Sequence, residues 1–172
     1  MNNTVNDSPL SAAGRFGRLS YLGWNGLLVL VMMVLGIFCA IALPGFSPNM
    51  EQGMSVFAML LLGIVYVTMI YFSFIFAIRR LHDRNHSGWL SLLMLVPLAN
   101  LGLALYLIFA KGDAQENQFG LPRATQTWEK VLGWIYVLIF PIGIMAAIAI
   151  PAYHDYAQRA QQAQIELQRP AE

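Results

Sequence analysis

Four stretches of this chain, 21–43, 54–78, 89–110 and 131–152, each run for more than twenty residues without an Asp, Glu, Lys, Arg or His. A helix crossing about 30 Å of hydrocarbon needs roughly 20 such residues. The expected fold class is therefore all-α: a polytopic membrane protein with four hydrophobic helical segments and a short polar C-terminal helix. The four stretches take up about half of the 172 residues, which leaves little chain for a soluble domain. Residues 1–20 are polar, and the first apolar run is too long for the core of a cleaved leader. That run is expected to be retained as an anchor.

Composition narrows the function. Charged residues make up 11% of the chain, against roughly 25% in soluble domains. The net charge of +1 gives no basic surplus to displace counterions, so electrostatic nucleic-acid binding is excluded. The one cysteine, Cys39, excludes an internal disulfide framework and a Cys-based zinc site. The absence of ionisable residues inside the runs argues against a proton relay, an ion path or an intramembrane protease. Asn25, Thr68, Ser73, Ser91 and Asn100 are expected to make modest interhelical hydrogen bonds. Trp24, Trp89, Trp128 and Trp134 lie near run ends, as in interfacial aromatic belts.

Lys and Arg in short loops set orientation. Arg15 and Arg18 precede the first run, Arg79, Arg80 and Arg84 follow the second, and Lys111, Arg123 and Lys130 follow the third. The loop 44–53 has none, and the tail has Arg159 and Arg169. With four crossings, the N-terminus, the 79–88 loop and the tail share the cytoplasmic side. The third run, however, holds Pro97, Asn100 and Gly102, and proline removes a backbone donor that lipid cannot replace. A re-entrant hairpin is the alternative, which returns the 111–130 loop to the cytoplasm and puts the tail outside. Both topologies place the N-terminus and the 79–88 loop inside.

The sharpest polar motif is RRLHDRNHSGW, residues 79–89. Arginines at a helix end anchor a span and favour its C-terminal dipole, and Asp83 reads as their counter-ion. Arg79, Arg80 and Arg84, with His82 and Asp83, also form a candidate loop for an anionic headgroup or ligand, because arginine forks match phosphate oxygens. His82 and His86 are four apart, but Asn85 and Gly88 argue against a continuous helix between metal ligands. Small-residue pairs mark packing faces: Gly36 with Ala40, and Gly143 with Ala147.

At this motif the sequence resembles the bacterial inner-membrane family known as domain of unknown function 805, over roughly residues 10–124. The resemblance rests on Gly14, Arg15, Gly17, Arg18 and Tyr21, then on Arg79, Arg80, Leu81, His82, Asp83, Ser87, Gly88 and Trp89. It continues through Pro97 and Asn100 to Gly112, Asn117, Phe119, Gly120 and Pro122. Many members carry an aromatic–Trp pair soon after the second arginine, whereas here Leu22 and Gly23 separate Tyr21 from Trp24. The resemblance implies a multi-pass protein of the bacterial inner (plasma) membrane, with no established reaction or cofactor.

The last run and its tail, PIGIMAAIAIPAYHDYAQRAQ at 141–161, resemble the N-terminal helix of type IV pilins and pseudopilins. The matched positions are Gly143, Ala146, Ala147, Ile148, Ala149, Ile150, Pro151, Ala152, Tyr153, Tyr156, Arg159 and Ala160. The pilin glutamate falls at Trp134 and the pilin phenylalanine at Lys130, so the processing site is missing. The chain is thus divided into a membrane domain, 1–124, and a pilin-like helix with a polar tail, 125–172. The tail is rich in helix formers and is expected to end near Pro170.

These features predict a non-enzymatic interaction or accessory protein of the cell envelope, without metal or cofactor. Its partners would be the lipid bilayer, a pilin, pseudopilin or assembly-platform protein, or a second copy of the chain, with Gly143 and Ala147 as the contact face. The alternative is a small oligomeric transport or lipid-handling protein that binds an anionic headgroup at the 79–84 loop.

Overall fold

A computed structural model describes residue 8 and residues 11–42 and 55–168. The expected loop 44–53 and the end of the tail lie outside the described residues. Among those residues the architecture is all-helical: α1 (Arg18–Ala42), α2 (Val56–His82), a 3-10 helix (Gly88–Leu95), α3 (Pro97–Phe109) and α4 (Thr127–Gln168). An isolated antiparallel bridge joins Asn117 and Gly120. The chain divides into two compact units, 1–136 and 137–172.

Three described helices are long and apolar enough to cross a membrane: α1, α2 and α4. Their apolar side chains point largely away from the protein. Ile41 is 82% exposed, and only 6% of the most apolar stretch of α1 is buried. Exposure of that extent is untenable in water and ordinary in lipid, where the bilayer is the apolar phase.

The third apolar run does not form a fourth span of this kind. Val96 is extended (φ −103°, ψ 115°) and separates the 3-10 helix from α3, which begins at Pro97. The cause is local: the ring of Pro97 disfavours the helical conformation at the residue before it, while proline itself suits the first turn of a helix. The 13 residues of α3 cover only about 20 Å, short of about 30 Å of hydrocarbon. The run also ends where it began. Arg84, just after α2, donates to the Lys111 carbonyl at 2.5 Å and to the Tyr106 hydroxyl at 3.0 Å. The Asp113 N–H donates to the Asp83 carbonyl at 2.8 Å. This is the hairpin geometry of the re-entrant alternative, and among the described residues three helices, not four, are long and apolar enough to cross.

Two small core clusters hold the first unit together. Phe16, Leu28, Ile75 and Phe76 pack between α1 and α2, and Ala77, Leu81, Leu103 and Leu107 pack between α2 and α3. The first turns of α4 approach α1 closely enough to require glycine. A Cβ on Gly23 would run into the Glu129 backbone, one on Gly26 would lie 3.1 Å from the Leu132 carbonyl oxygen, and one on Gly133 would lie 3.0 Å from that of Leu19. In the second unit, α4 continues to Gln168 with Pro141 and Pro151 inside it. Each proline removes one helical hydrogen bond, which neighbouring groups can re-satisfy in a membrane helix.

The close-packed face is therefore Gly23, Gly26 and Gly133, while a Cβ at Gly36 or Gly143 would meet nothing within 4 Å. Gly133→Leu should lower stability by about 1–3 kcal/mol through overpacking. Gly143→Leu should leave it within about 0.5 kcal/mol. Unfolding midpoints of the two purified variants in detergent check this; equal shifts would contradict the assigned packing face.

Candidate functional site

The polar ends of the first unit meet in a cluster built around Asp83. Helix α2 stops there with a left-handed turn: Asn85 has φ +55°, the His86 N–H donates to the Leu81 carbonyl, and the Asn85 N–H donates to that of His82. This is the usual way a helix terminus satisfies its orphan carbonyls, and asparagine tolerates the left-handed conformation better than most residues. It leaves the Asp83 side chain facing inward, 5% exposed.

Two arginines converge on that carboxylate. Arg15, just ahead of α1, donates to Asp83 Oδ1 from Nε at 3.3 Å and from Nη2 at 3.1 Å. Its other donors go to the carbonyls of Gln115 (2.8 Å), Gly120 (2.9 Å) and Asp113 (2.6 Å). All five guanidinium N–H positions are thus used. Arg80 donates to Asp83 Oδ2 at 2.5 Å, to Leu107 O at 2.8 Å and to the Ala110 carbonyl. The last two contacts cap the C-terminus of α3, where unpaired carbonyls carry partial negative charge. Arg79 is also buried, with its guanidinium carbon 3.8 Å from the centre of the Phe16 ring and Nη1 donating to Ser8 O at 3.2 Å.

The remaining motif residues close around this centre. The His82 ring stacks on Phe119, with centroids 3.7 Å apart, and its Nδ1 lies 3.3 Å from the Gly14 carbonyl oxygen. Asn117 donates to His82 O at 2.9 Å and accepts from the Phe119 N–H at 2.9 Å. A Cβ at Gly112 would collide with the Asp83 carboxylate. Gly14 and Gly120 adopt φ +87° and +100°, the region in which other residues are strained. His86 turns away from His82, its Nε2 2.7 Å from the Tyr106 hydroxyl, so the two histidines do not share a site.

A second buried anion was not singled out by the sequence. Glu129, in the first turn of α4, is 0% exposed. It accepts from Arg123 Nη1 (2.7 and 2.8 Å), Ser20 Oγ (2.9 Å), Trp24 Nε1 (2.8 Å) and the Gln126 N–H (3.0 Å). The Gln126 contact is half of a capping box, and the carboxylate also favours the positive end of the helix dipole. The signal in the sequence was an acidic residue three positions after Gln126, just before an apolar run.

Of the candidate headgroup residues, Arg79, Arg80 and Asp83 are buried, while His82 and Arg84 are partly exposed. An incoming phosphate would have to compete with Asp83 and the backbone carbonyls for Arg80. Gly143 and Ala147 lie on α4 in the second unit, both exposed. Among the described residues no group of three or more His, Cys, Asp or Glu is placed to hold a metal.

A family model described as "Protein of unknown function (DUF805)" matches residues 9–121. No curated protein and no solved structure matches the chain. The matched segment begins shortly before Arg15 and ends just after Gly120, so it contains both ends of the Asp83 cluster.

Removing one member of a buried ion group strands its partners, at a cost of about 3–5 kcal/mol. Asp83→Ala should lower stability by that amount, and Arg84→Gln, at a partly exposed side chain, by less than about 1 kcal/mol. Unfolding midpoints in detergent check both, and near-equal losses would contradict the central role of Asp83.

Proposed function

The chain belongs to the DUF805 family of proteins of unknown function, and from that premise we propose a non-enzymatic interaction or accessory protein of the bacterial inner membrane. In this reading the first unit is an ion-locked membrane anchor, and the pilin-like helix meets a partner within the bilayer. One observation carries it: in the second unit α4 leaves Ile142, Met145, Ile148, Tyr153 and Tyr156 all more than half exposed, with open space at Gly143. A helix that is apolar on all sides seeks lipid or another helix, and small residues allow the closest approach. The partner is a pilin, a pseudopilin or an assembly-platform protein, whose own helix would lie against Gly143 and Ala147.

The non-enzymatic reading is supported by the way the buried charges are used. Asp83, Arg15, Arg80 and Glu129 are engaged by one another, by neighbouring side chains and by backbone. The lipid-handling alternative through Arg79, Arg80 and Arg84 has less support, since two of the three guanidiniums are interior.

The topology follows the same reading. Arg15, Arg79, Arg80, Arg84, Lys111 and Arg123 belong to segments that meet at the polar cluster, and the positive-inside rule makes that face cytoplasmic. With the third run returning to the face it left, the number of crossings is odd and the tail lies outside. A C-terminal alkaline phosphatase fusion should be active and a C-terminal green fluorescent protein fusion dark; the reverse pattern would restore the four-crossing topology. Photocrosslinking from position 143 in native membranes should recover a pilus or secretion component. Recovery of only lipid, or only a second copy of the chain, would reject that partner.

A further inference from the structure

A cavity of about 620 Å³ lies beside the ion cluster, between α2, the 3-10 helix and the 118–119 turn. It falls within the ordinary size range of small-molecule sites, roughly 300–1,000 Å³. Its wall changes character along its length. Phe74 and Ile78 line it on α2, and Trp89 and Leu92 on the 3-10 helix, whereas His82, Ser87, Ser91 and Gln118 supply polar groups. Phe74 and His82 are eight residues apart on one helix, so the lining reaches about 12 Å along α2 from the polar cluster toward the hydrocarbon. Trp89, 79% exposed, stands at the rim as an interfacial residue.

Two of the polar groups have unused hydrogen-bonding capacity. Ser91 is 3% exposed, and no side-chain hydrogen bond among the described residues uses its hydroxyl. The hydroxyl lines the cavity, so it is free to exchange a hydrogen bond with a group that enters there. His82 offers the second. The Gly14 carbonyl can only accept, so Nδ1 carries the hydrogen and, in the neutral ring, Nε2 is left as an acceptor. That Nε2 faces Gly88, where a Cβ would lie 3.3 Å from it, and both residues line the cavity. Gly88 therefore keeps the space in front of the imidazole open.

We propose that this cavity binds a lipid with an uncharged hydroxyl head, such as a monoacylglycerol, with its head at Ser91 and His82 and its acyl chain along Phe74, Ile78 and Leu92. The sorting by charge follows from the wall. No Lys, Arg, Asp or Glu lines the cavity, so a phosphorylated head would be desolvated without a counter-ion. A hydroxyl can donate to His82 Nε2 and exchange a hydrogen bond with Ser91.

The test uses the full chain in nanodiscs and a monooleoylglycerol bearing a photoactivatable diazirine in its acyl chain. Labelling should saturate, should be competed by unlabelled monooleoylglycerol, and should map to peptides containing 74–92 and 118–119. Ser91→Ala keeps the space and removes the hydroxyl, and should weaken binding about tenfold. The matching lysophosphatidic acid probe should label at least about tenfold less, because its phosphate finds no counter-ion. The proposal is overturned if wild-type labelling is unsaturable and spread over the lipid faces of α1 and α4. It is equally overturned if lysophosphatidic acid binds as well, or if folded Ser91→Ala binds unchanged. The peptide map needs no variant, so a folding defect in Ser91→Ala would not blunt it.

Discussion

The first unit depends on keeping one carboxylate ionised inside a mostly apolar protein. Transferring Asp83 out of water costs several kcal/mol, and so does each arginine beside it. Two buried guanidiniums, those of Arg15 and Arg80, converge on a single carboxylate. Asp83 alone would therefore leave the site net positive. Backbone carbonyls supply the remaining compensation: Arg15 takes three, and Arg80 takes Leu107 and Ala110 at the end of α3. The arrangement is stable only when the ends of all these segments are brought together, because each segment contributes part of the solvation that the ions lost.

That requirement explains the shape of the membrane segment. The approach to α1, the end of α2, the end of α3 and the 113–120 turn all carry ligands of the same ion cluster, and Ser20 and Trp24 tie α1 to Glu129 at the start of α4. Hydrophobic burial could not achieve this. Lipid is as apolar as leucine, so apolar side chains gain little by leaving lipid for the protein interior. Buried polar contacts and glycine-mediated close approach are what remain to specify one arrangement, and both occur at the polar end of the helices.

Much of this was legible in the sequence. The apolar runs identified α1 and α2 within a few residues, and the start of α4, because hydrocarbon thickness imposes a length that few other constraints mimic. Pro97 marked the break in the third run. The pairing of Asp83 with its arginine neighbours was also readable, since i, i+3 residues share a helix face. What could not be read was the partner from a distance. Arg15 precedes Asp83 by 68 residues, and nothing in its spacing ties it to one carboxylate rather than another. Glu129 was not singled out, because its ligands Ser20 and Trp24 lie more than a hundred residues away in sequence. The small-residue rule pointed to Gly36 and Gly143, whereas intramolecular packing uses Gly23, Gly26 and Gly133. Four-residue spacing is common in any apolar helix and does not say which face meets a neighbour.

The scattered motif then has a physical unity that its linear order hides. Gly14 supplies the carbonyl that faces His82 Nδ1, Phe119 stacks on the same imidazole, Asn117 holds the carbonyl behind it, and Gly112 leaves room for Asp83. A ring stacked on one side and hydrogen-bonded at one nitrogen has little freedom left. A helix end that only needed anchoring in headgroups would not require that degree of fixation, since exposed arginines suffice for it. An imidazole held this firmly, with its second nitrogen turned toward a cavity kept open by Gly88, is what a binding site needs in order to fix the orientation of a single hydroxyl. The ion cluster and the cavity are in this sense one construction, in which buried charge makes the frame rigid and the rigid frame presents a neutral acceptor to the bilayer.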